Sequence, residues 1–136
     1  MNCGITTVRD AGAQLLPSVV AKAQEVIEAH QASFARAVAA GVKVAMGTDS
    51  GVGPHGSNLD ELSLMAAGGM TPSDVLVATT SSAAQLLGLA AQTGSLAPGK
   101  RADVVVVAGD PFDLAALRQN IRAVYKDGRA VRGQLA

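Results

Sequence analysis

The chain has 136 residues, of which 49% are hydrophobic, 16% are charged and 2% are aromatic, and its 11 basic and 11 acidic residues give a net charge of zero. A complete eight-stranded α/β barrel needs about 250 residues, so this chain is too short to be one. No Lys/Arg cluster is interleaved with aromatic residues, which removes the electrostatic basis for a nucleic-acid partner. The single cysteine, Cys3, excludes an internal disulfide framework and any multi-cysteine metal site.

The apolar runs are too short to cross a membrane. The most apolar of them, residues 102–108, is interrupted by Asp103, whereas a bilayer requires about 20 consecutive apolar residues. The chain also shows no charged segment followed by an apolar run of the kind that forms a secretory signal. We therefore expect a cytoplasmic protein with no membrane partner.

The first predicted element is a short strand over residues 5–8, followed by the charged pair Arg9 and Asp10 and then by Gly12. Residues at a strand end are able to contact a ligand, so Arg9 is a candidate substrate-binding residue. The alternative is that Arg9 and Asp10 form a solvated ion pair with no role in binding.

Residues 17–40 have the periodicity of an amphipathic helix that begins at Pro17 and ends at Gly41. Apolar residues three and four positions apart fall on one face, which predicts that this face is buried. His30 lies on the same face, where a histidine is more often packed in the core than bound to a metal. The positions of the stripe are Val20, Ala23, Ile27, His30, Phe34 and Ala37.

Residues 42–46 are nearly all apolar and lie between Gly41 and Gly47, which predicts a buried strand that ends in a turn. Asp49 follows this strand directly. Because ligands of parallel sheets bind beyond the carboxyl ends of the strands, Asp49 is a candidate metal or substrate residue. The alternative is that its side chain caps the turn together with Thr48 and Ser50.

A loop rich in glycine and proline follows and contains His55, a candidate substrate-binding residue because binding groups concentrate in such loops. The next helix is predicted to begin at Asn58, with Glu61 completing a capping box. Leu59, Leu62 and Met65 would form its buried face. Glu61 thus has a sufficient structural role as a cap.

The remaining chain is predicted to form a helix pair and then a small β element. Thr71 caps a helix that starts at Pro72, and Ser81 or Ser82 caps a shorter one over residues 83–87. Strands are predicted over residues 102–108, 121–126 and 129–132, the last two joined by a hairpin at Asp127-Gly128. We expect two units, residues 1–93 and residues 94–136.

Several blocks, taken in their order along the chain, resemble the carboxyl-terminal part of metal-dependent amidohydrolases, in particular the imidazolonepropionase-like and Xaa-Pro dipeptidase-like branches. Gly-Thr-Asp alone is a weak motif, but the ordered set is specific. The blocks are residues 41–49, His55-Gly56, Glu61-Leu62, residues 69–72, residues 94–103 and residues 109–111.

This resemblance implies a partial (β/α)8 barrel, contributing its last strand and helices, together with strands of a small β-sandwich. It implies that Asp49 binds a metal, one or two divalent ions such as zinc, and accepts the proton of the attacking water. The reaction implied is hydrolysis of a C–N bond in a small amide, cyclic amide or dipeptide. A metal lowers the pKa of bound water from about 15.7 towards 7, and the carboxylate moves the released proton.

The departures from the family pattern concern the remaining metal ligands. The chain has two histidines, His30 and His55, and neither forms the His-x-His pair of the family. Residues 4–12 resemble a segment near the second barrel strand, so the middle of the barrel is missing. The alternative function is a truncated, non-catalytic remnant or fragment that does not hold zinc alone. A homo-oligomer or a missing complementary segment would then cover the open sheet edge.

Overall fold

The computed structural model describes residues 17–48 and 56–133. The elements found there agree in type and order with the predicted helices and the predicted C-terminal strands. They are α1 (Pro17–Ala39), α2 (Asp60–Ala67), α3 (Pro72–Thr79), α4 (Ser81–Leu86), β1 (Val104–Val107), α5 (Leu117–Asn120), β2 (Ile121–Lys126) and β3 (Arg129–Arg132). None of the helices in these residues is both long and apolar enough to span a membrane.

Helix α1 ends at Ala39, and Gly41, the residue predicted to stop it, has a φ of +71°, the left-handed conformation that glycine tolerates just past a helix end. Among the side chains of its apolar face that the structure describes, the burial is uneven. Phe34 packs against the core, but Ile27 is 43% exposed and His30 is exposed. The prediction that His30 is packed is therefore wrong, because no element in the described part of the chain covers that stretch of α1.

Helix α2 begins two residues later than predicted, and the proposed capping box is absent. Leu59 occupies the N-cap position with no side-chain hydrogen bond, and the Asp60 amide donates to the Ser57 carbonyl at 2.9 Å. Glu61 is consequently in the first helical turn and not in a reciprocal pair with Asn58. The burial of Leu62 and Met65 agrees with the predicted face.

The cap of α3 is confirmed. The Asp74 amide donates to the Thr71 hydroxyl oxygen at 3.1 Å, and that hydroxyl donates to the Asp74 carboxylate at 2.6 Å. Pro72 follows in the first turn, where its missing N–H costs nothing. Helix α4 starts directly afterwards at Ser81, without the serine cap that was predicted.

The core is a cluster of buried side chains drawn from α2, α3 and the segment around α5. Val44, Met46 and Phe34 pack against its edge. The predicted division into residues 1–93 and 94–136 stays a prediction, although two core residues come from beyond residue 94. The buried members are Leu62, Met65, Val75, Ala78, Leu114 and Leu117.

The three strands form an antiparallel sheet in the order β1-β2-β3. Asp127 and Gly128 join β2 to β3 with φ values of +50° and +76°. Positive φ at both central residues defines a type I′ turn, whose twist matches that of the strands it joins. The predicted hairpin is therefore confirmed at the predicted residues.

The predicted strand over residues 42–46 is not formed within the described residues. Residues 42–48 carry no strand pairing there, and the Met46 amide instead donates to the Ala78 carbonyl at the end of α3, at 3.0 Å. The apolar pattern correctly indicated contact with the core, since Val44 and Met46 pack on it. A strand needs a neighbouring strand with which to pair, and none of the described strands pairs with residues 42–46.

Candidate functional site

The three residues predicted to carry function, Asp49, His55 and Arg9, lie outside the described residues. The structure does describe the chain on both sides of the segment that contains Asp49 and His55. Thr48 precedes that segment and is exposed, and Gly56 follows it with a φ of +89°.

The segment that leads to Asp49 is held on the core by a backbone hydrogen bond and by side-chain packing. The Met46 amide is bonded to the Ala78 carbonyl, and the side chains of Val44 and Met46 contact the buried cluster. By Gly47 and Thr48 the chain is exposed again. The described chain therefore passes from the core to the surface between Met46 and Thr48.

Glu61 is a buried carboxylate that the sequence analysis did not nominate. It is 6% exposed and lies in the first turn of α2, where the positive end of the helix dipole favours a negative charge. No buried side-chain nitrogen or oxygen in the described residues lacks a hydrogen-bond partner. A signal was available in the sequence, because Glu61 is four residues before the buried Met65 and so shares its side of the helix.

The neighbouring acid, Asp60, is exposed and forms an ion pair. Its Oδ1 accepts a hydrogen bond from Nη2 of Arg118, in α5, at 3.1 Å. The first turn of α2 therefore carries one buried acid and one acid paired with the C-terminal part of the chain.

The described residues do not make a metal site on their own. No group of three or more His, Cys, Asp or Glu side chains in residues 17–48 and 56–133 is arranged to hold an ion. A catalytic zinc requires three protein ligands with one position left open. Ligands for a metal would therefore have to include residues outside this part of the structure.

The block over residues 94–103, which carried much of the family resemblance, forms a structural anchor for the β2–β3 turn. Arg101 donates two hydrogen bonds to the Asp127 carboxylate, from Nε at 2.6 Å and from Nη2 at 2.7 Å. The Asp103 carboxylate accepts from the Asp127 amide at 3.0 Å and from the Lys126 ammonium. We call Arg101, Asp103, Lys126 and Asp127 the turn anchor.

Backbone hydrogen bonds and a hydrogen bond from Lys100 hold the rest of the block in place. The Gly128 amide donates to the Ala102 carbonyl at 2.9 Å, and the Arg101 amide donates to the Gln92 carbonyl at 2.8 Å. Nζ of Lys100 donates to the Ala90 carbonyl at 2.6 Å. The block thus holds its own turn and the hairpin together, and its charged groups are occupied in doing so.

The charges of the turn anchor shift one another's pKa values. The hydrogen bond from Lys126, followed by that from the Asp127 amide, lowers the pKa of Asp103 from its ordinary value of 3.8. The Arg101 hydrogen bond and charge lower the pKa of Asp127 in the same way, and Asp127 raises the pKa of Arg101. Each carboxyl group is therefore more acidic in the folded chain than in the unfolded chain.

The lowered pKa of Asp103 determines how the stability of the fold depends on pH. Because the folded pKa of Asp103 is depressed, its contribution to stability is complete above the unfolded value of 3.8 and is lost as the pH falls through the folded pKa. We expect Asp103→Asn to lower the melting temperature more at pH 7 than at pH 2. Thermal unfolding from pH 2 to pH 7 measures this. Glu28→Gln, which removes an exposed carboxylate from α1, is the control for the loss of one negative charge.

Comparison with known proteins identifies the family to which this chain belongs. The model of the amidohydrolase family matches residues 4–131. The chain is 33% identical over 127 residues to ochratoxinase from Aspergillus niger, and 35% identical over 86 residues to imidazolonepropionase from Chloroflexus aggregans. These alignments cover 90% and 61% of this chain.

A solved structure of a Xaa-Pro dipeptidase with bound methionine in its active site superposes with a TM-score of 0.77 at 35% identity. That match covers 87% of this chain and 29% of the dipeptidase. The chain belongs to the amidohydrolase family, as the ordered blocks predicted. It spans 26% of the length of ochratoxinase and 20% of that of imidazolonepropionase.

Proposed function

We propose that this chain is the part of a metal-dependent amidohydrolase that carries Asp49, and that the complete protein hydrolyses a C–N bond in a small amide, cyclic amide or dipeptide. The observation that carries the proposal is the family match over residues 4–131. Members of the family generally bind divalent metals, and we propose one or two zinc ions here. Residues 1–93 would belong to a partial (β/α)8 barrel and residues 94–136 to a β-sandwich.

In this proposal Asp49 is a metal ligand and the proton acceptor. When bound, the metal supplies acidification of a water molecule. The Asp49 carboxylate would accept a proton from the attacking water as the water oxygen bonds to the carbonyl carbon, and would pass that proton to the nitrogen as the C–N bond breaks. The products are a carboxylic acid and an amine. His55 and Arg9 are proposed to contact the substrate.

The described structure supports the placement of Asp49 only through its neighbours. Val44 and Met46 fix the preceding segment on the core, and exposed Gly47 and Thr48 then bring the chain to the surface. These neighbours support the proposal because residue 48, which directly precedes Asp49, lies at the surface next to a segment packed on the core.

The reaction is tested on the whole protein that contains this chain. It would be purified, stripped with a chelator and assayed with the dipeptide Met-Pro, with and without added zinc, by release of free proline. We expect release only with zinc. Absence of release from Met-Pro and from a panel of N-acyl amino acids, with zinc present, would contradict the proposed reaction.

A second candidate is that the 136-residue polypeptide alone is non-catalytic. It is favoured by the ligand inventory: the sequence holds two histidines and one cysteine, and the described residues bring no three ligands together. This alternative concerns the capacity of the isolated chain and is compatible with membership of the family.

We expect the isolated chain to hold no stoichiometric zinc, because Asp49 and His55 supply two ligands where a catalytic site uses three. Elemental analysis after dialysis measures this directly. Asp49→Asn is the matched control and should give the same near-zero content. About one tightly held zinc per wild-type chain would show that ligands are shared between chains.

The isolated chain is also expected to self-associate. Ile27 and Val42 are about half exposed, and residues 42–48 have no strand partner in the described part of the chain. A second copy or a missing complementary segment would cover these surfaces. Light scattering at low micromolar concentration should therefore show a dimer or a larger species. A stable monomer with cooperative unfolding would contradict this expectation.

A further inference from the structure

Helices α3 and α4 are separated by a break at Thr80. The φ of −119° and ψ of −86° of this residue are not helical, so α3 ends at Thr79 and α4 begins at Ser81. The end of a helix leaves its last four carbonyl groups without partners inside the helix. The partners that these carbonyl groups find elsewhere show what the break does.

Three of the last four carbonyl groups of α3 have such partners. The Thr80 hydroxyl donates to the Leu76 carbonyl at 2.7 Å, and the Thr80 amide donates to the Val77 carbonyl at 3.2 Å. The Ala78 carbonyl accepts from the Met46 amide at 3.0 Å. Ala78 is 1% exposed, so loss of this bond would leave a buried carbonyl group in need of another donor.

The loop after α4 packs directly against the break at Gly94. A methyl group on Gly94 would lie 2.5 Å from the Ala84 Cβ atom and 3.0 Å from the Thr80 carbonyl oxygen. It would also lie 3.2 Å from the Ser81 Cα atom. None of these atoms is the end of a long side chain that could turn aside. Gly94 in addition has a φ of +89°, which glycine adopts without strain, so two separate requirements favour glycine here.

The other side of this loop is tied to residues of the turn anchor. The Arg101 amide donates to the Gln92 carbonyl at 2.8 Å. The Thr93 hydroxyl, directly before Gly94, donates to the Asp103 carboxylate at 3.3 Å. These bonds oppose a retreat of the loop, so a side chain added at position 94 would push on α4 and on the break.

We propose that Gly94 is a positioning residue for the segment that leads to Asp49. By letting the loop pack against the break, it keeps α3 and α4 as two helices. In one continuous helix the Ala78 carbonyl would accept from the amide of residue 82, whereas here it accepts from the Met46 amide. The link to catalysis rests on the proposed function, because Asp49 follows Met46 by three residues in the sequence.

Hydrogen exchange of the full chain, resolved to single amides, tests this positioning. Gly94→Ala is expected to speed exchange of the Met46 amide at least about tenfold, because its bond to the Ala78 carbonyl opens more often. The Gly68 amide, which donates to the Leu64 carbonyl of α2 at 3.0 Å, reports the general loss of stability and should change less.

Gly99→Ala is the matched control. Gly99 has a φ of +84°, so alanine meets a similar backbone strain there, but among the described residues no atom beyond its chain neighbours lies within 4 Å of the added methyl group. We expect this control to change the exchange of the Met46 and Gly68 amides by equal factors. Equal factors in Gly94→Ala as well would overturn the inference.

A second variant tests the contact with α4. Ala84→Gly removes the atom nearest to the added methyl group, so the double variant Ala84→Gly/Gly94→Ala should recover part of the Met46 protection that Gly94→Ala loses. Ala84→Gly alone measures the separate cost of a glycine in a helix. If Gly94→Ala does not fold, the double variant is expected to restore cooperative unfolding. No recovery in the double variant would overturn the inference.

The link to Asp49 is measured separately, in the whole protein that contains this chain. With zinc present, Gly94→Ala is expected to lower kcat/KM for Met-Pro about 10- to 100-fold relative to Gly99→Ala, since a small displacement of a reacting group costs that much. Equal values in the two variants would overturn the link to the site. If the wild-type protein releases no proline, the proposed function fails, while exchange of the Met46 amide still decides whether Gly94 positions the segment.

Discussion

Asp49→Asn is expected to reduce amide hydrolysis by the complete protein about 10²- to 10⁴-fold, the usual contribution of a positioned general base. The amide keeps the shape of the carboxylate but cannot accept a proton from water and is a poor metal ligand. The measurement is kcat/KM for a hydrolysed dipeptide at saturating zinc.

Stability is the control for this variant. An asparagine is able to make the same turn hydrogen bonds as an aspartate, so the melting temperature of the isolated chain should change little. A large fall in melting temperature would instead show that the charge of Asp49 contributes to stability, and the loss of activity could then not be assigned to the chemistry. Activity that survives the substitution would remove Asp49 from the proposed chemistry.

Leu62→Ala is expected to destabilise the isolated chain by about 2–5 kcal/mol, as is usual when a buried leucine is truncated. Leu62 is 1% exposed and lies in the cluster with Val75 and Leu117, so the cavity would open where three parts of the chain meet. Urea denaturation, followed by the midpoint and slope, measures the loss.

The same helix offers a matched control. Leu64 is 45% exposed, so Leu64→Ala makes the identical chemical change in α2 with little lost burial. We expect its effect to remain within about 0.5 kcal/mol. Equal losses from the two variants would show that the buried cluster does not hold the chain together.

The elements that the sequence predicted well are those defined by local chemistry. Thr71 caps α3 because its hydroxyl, the following proline and Asp74 all lie within one turn. Asp127-Gly128 forms a hairpin because both residues tolerate positive φ. Neighbouring residues sufficed to predict both, although Arg101 and Asp103 also hold the hairpin turn in the folded chain.

The predictions that failed depend on contacts between distant residues. Asn58 and Glu61 have the spacing of a capping box, but α2 starts at Asp60 and Glu61 is buried instead. The spacing fits a cap, but Glu61 also lies four residues before Met65, on the side of α2 that the core covers, and this position decides its burial. His30 has the position of a core residue on a helix whose covering partner is absent from the described structure.

The candidate site was predicted by family resemblance more than by residue chemistry. One aspartate after an apolar segment fits a turn cap as well as a metal ligand, and it is the ordered blocks that favour the second interpretation. Arg118 gave no signal in sequence, because its partner Asp60 is far away along the chain.

The residues of the turn anchor are evidence of family membership but not of catalytic activity. Arg101 and Asp103 belong to the block by which the family is readily recognised, yet their charges are used to hold a hairpin. A descendant that lost its metal ligands would still need that hairpin, and would keep the block for this reason. The presence of the block in a sequence therefore identifies ancestry, and evidence for catalysis has to come from the ligands themselves.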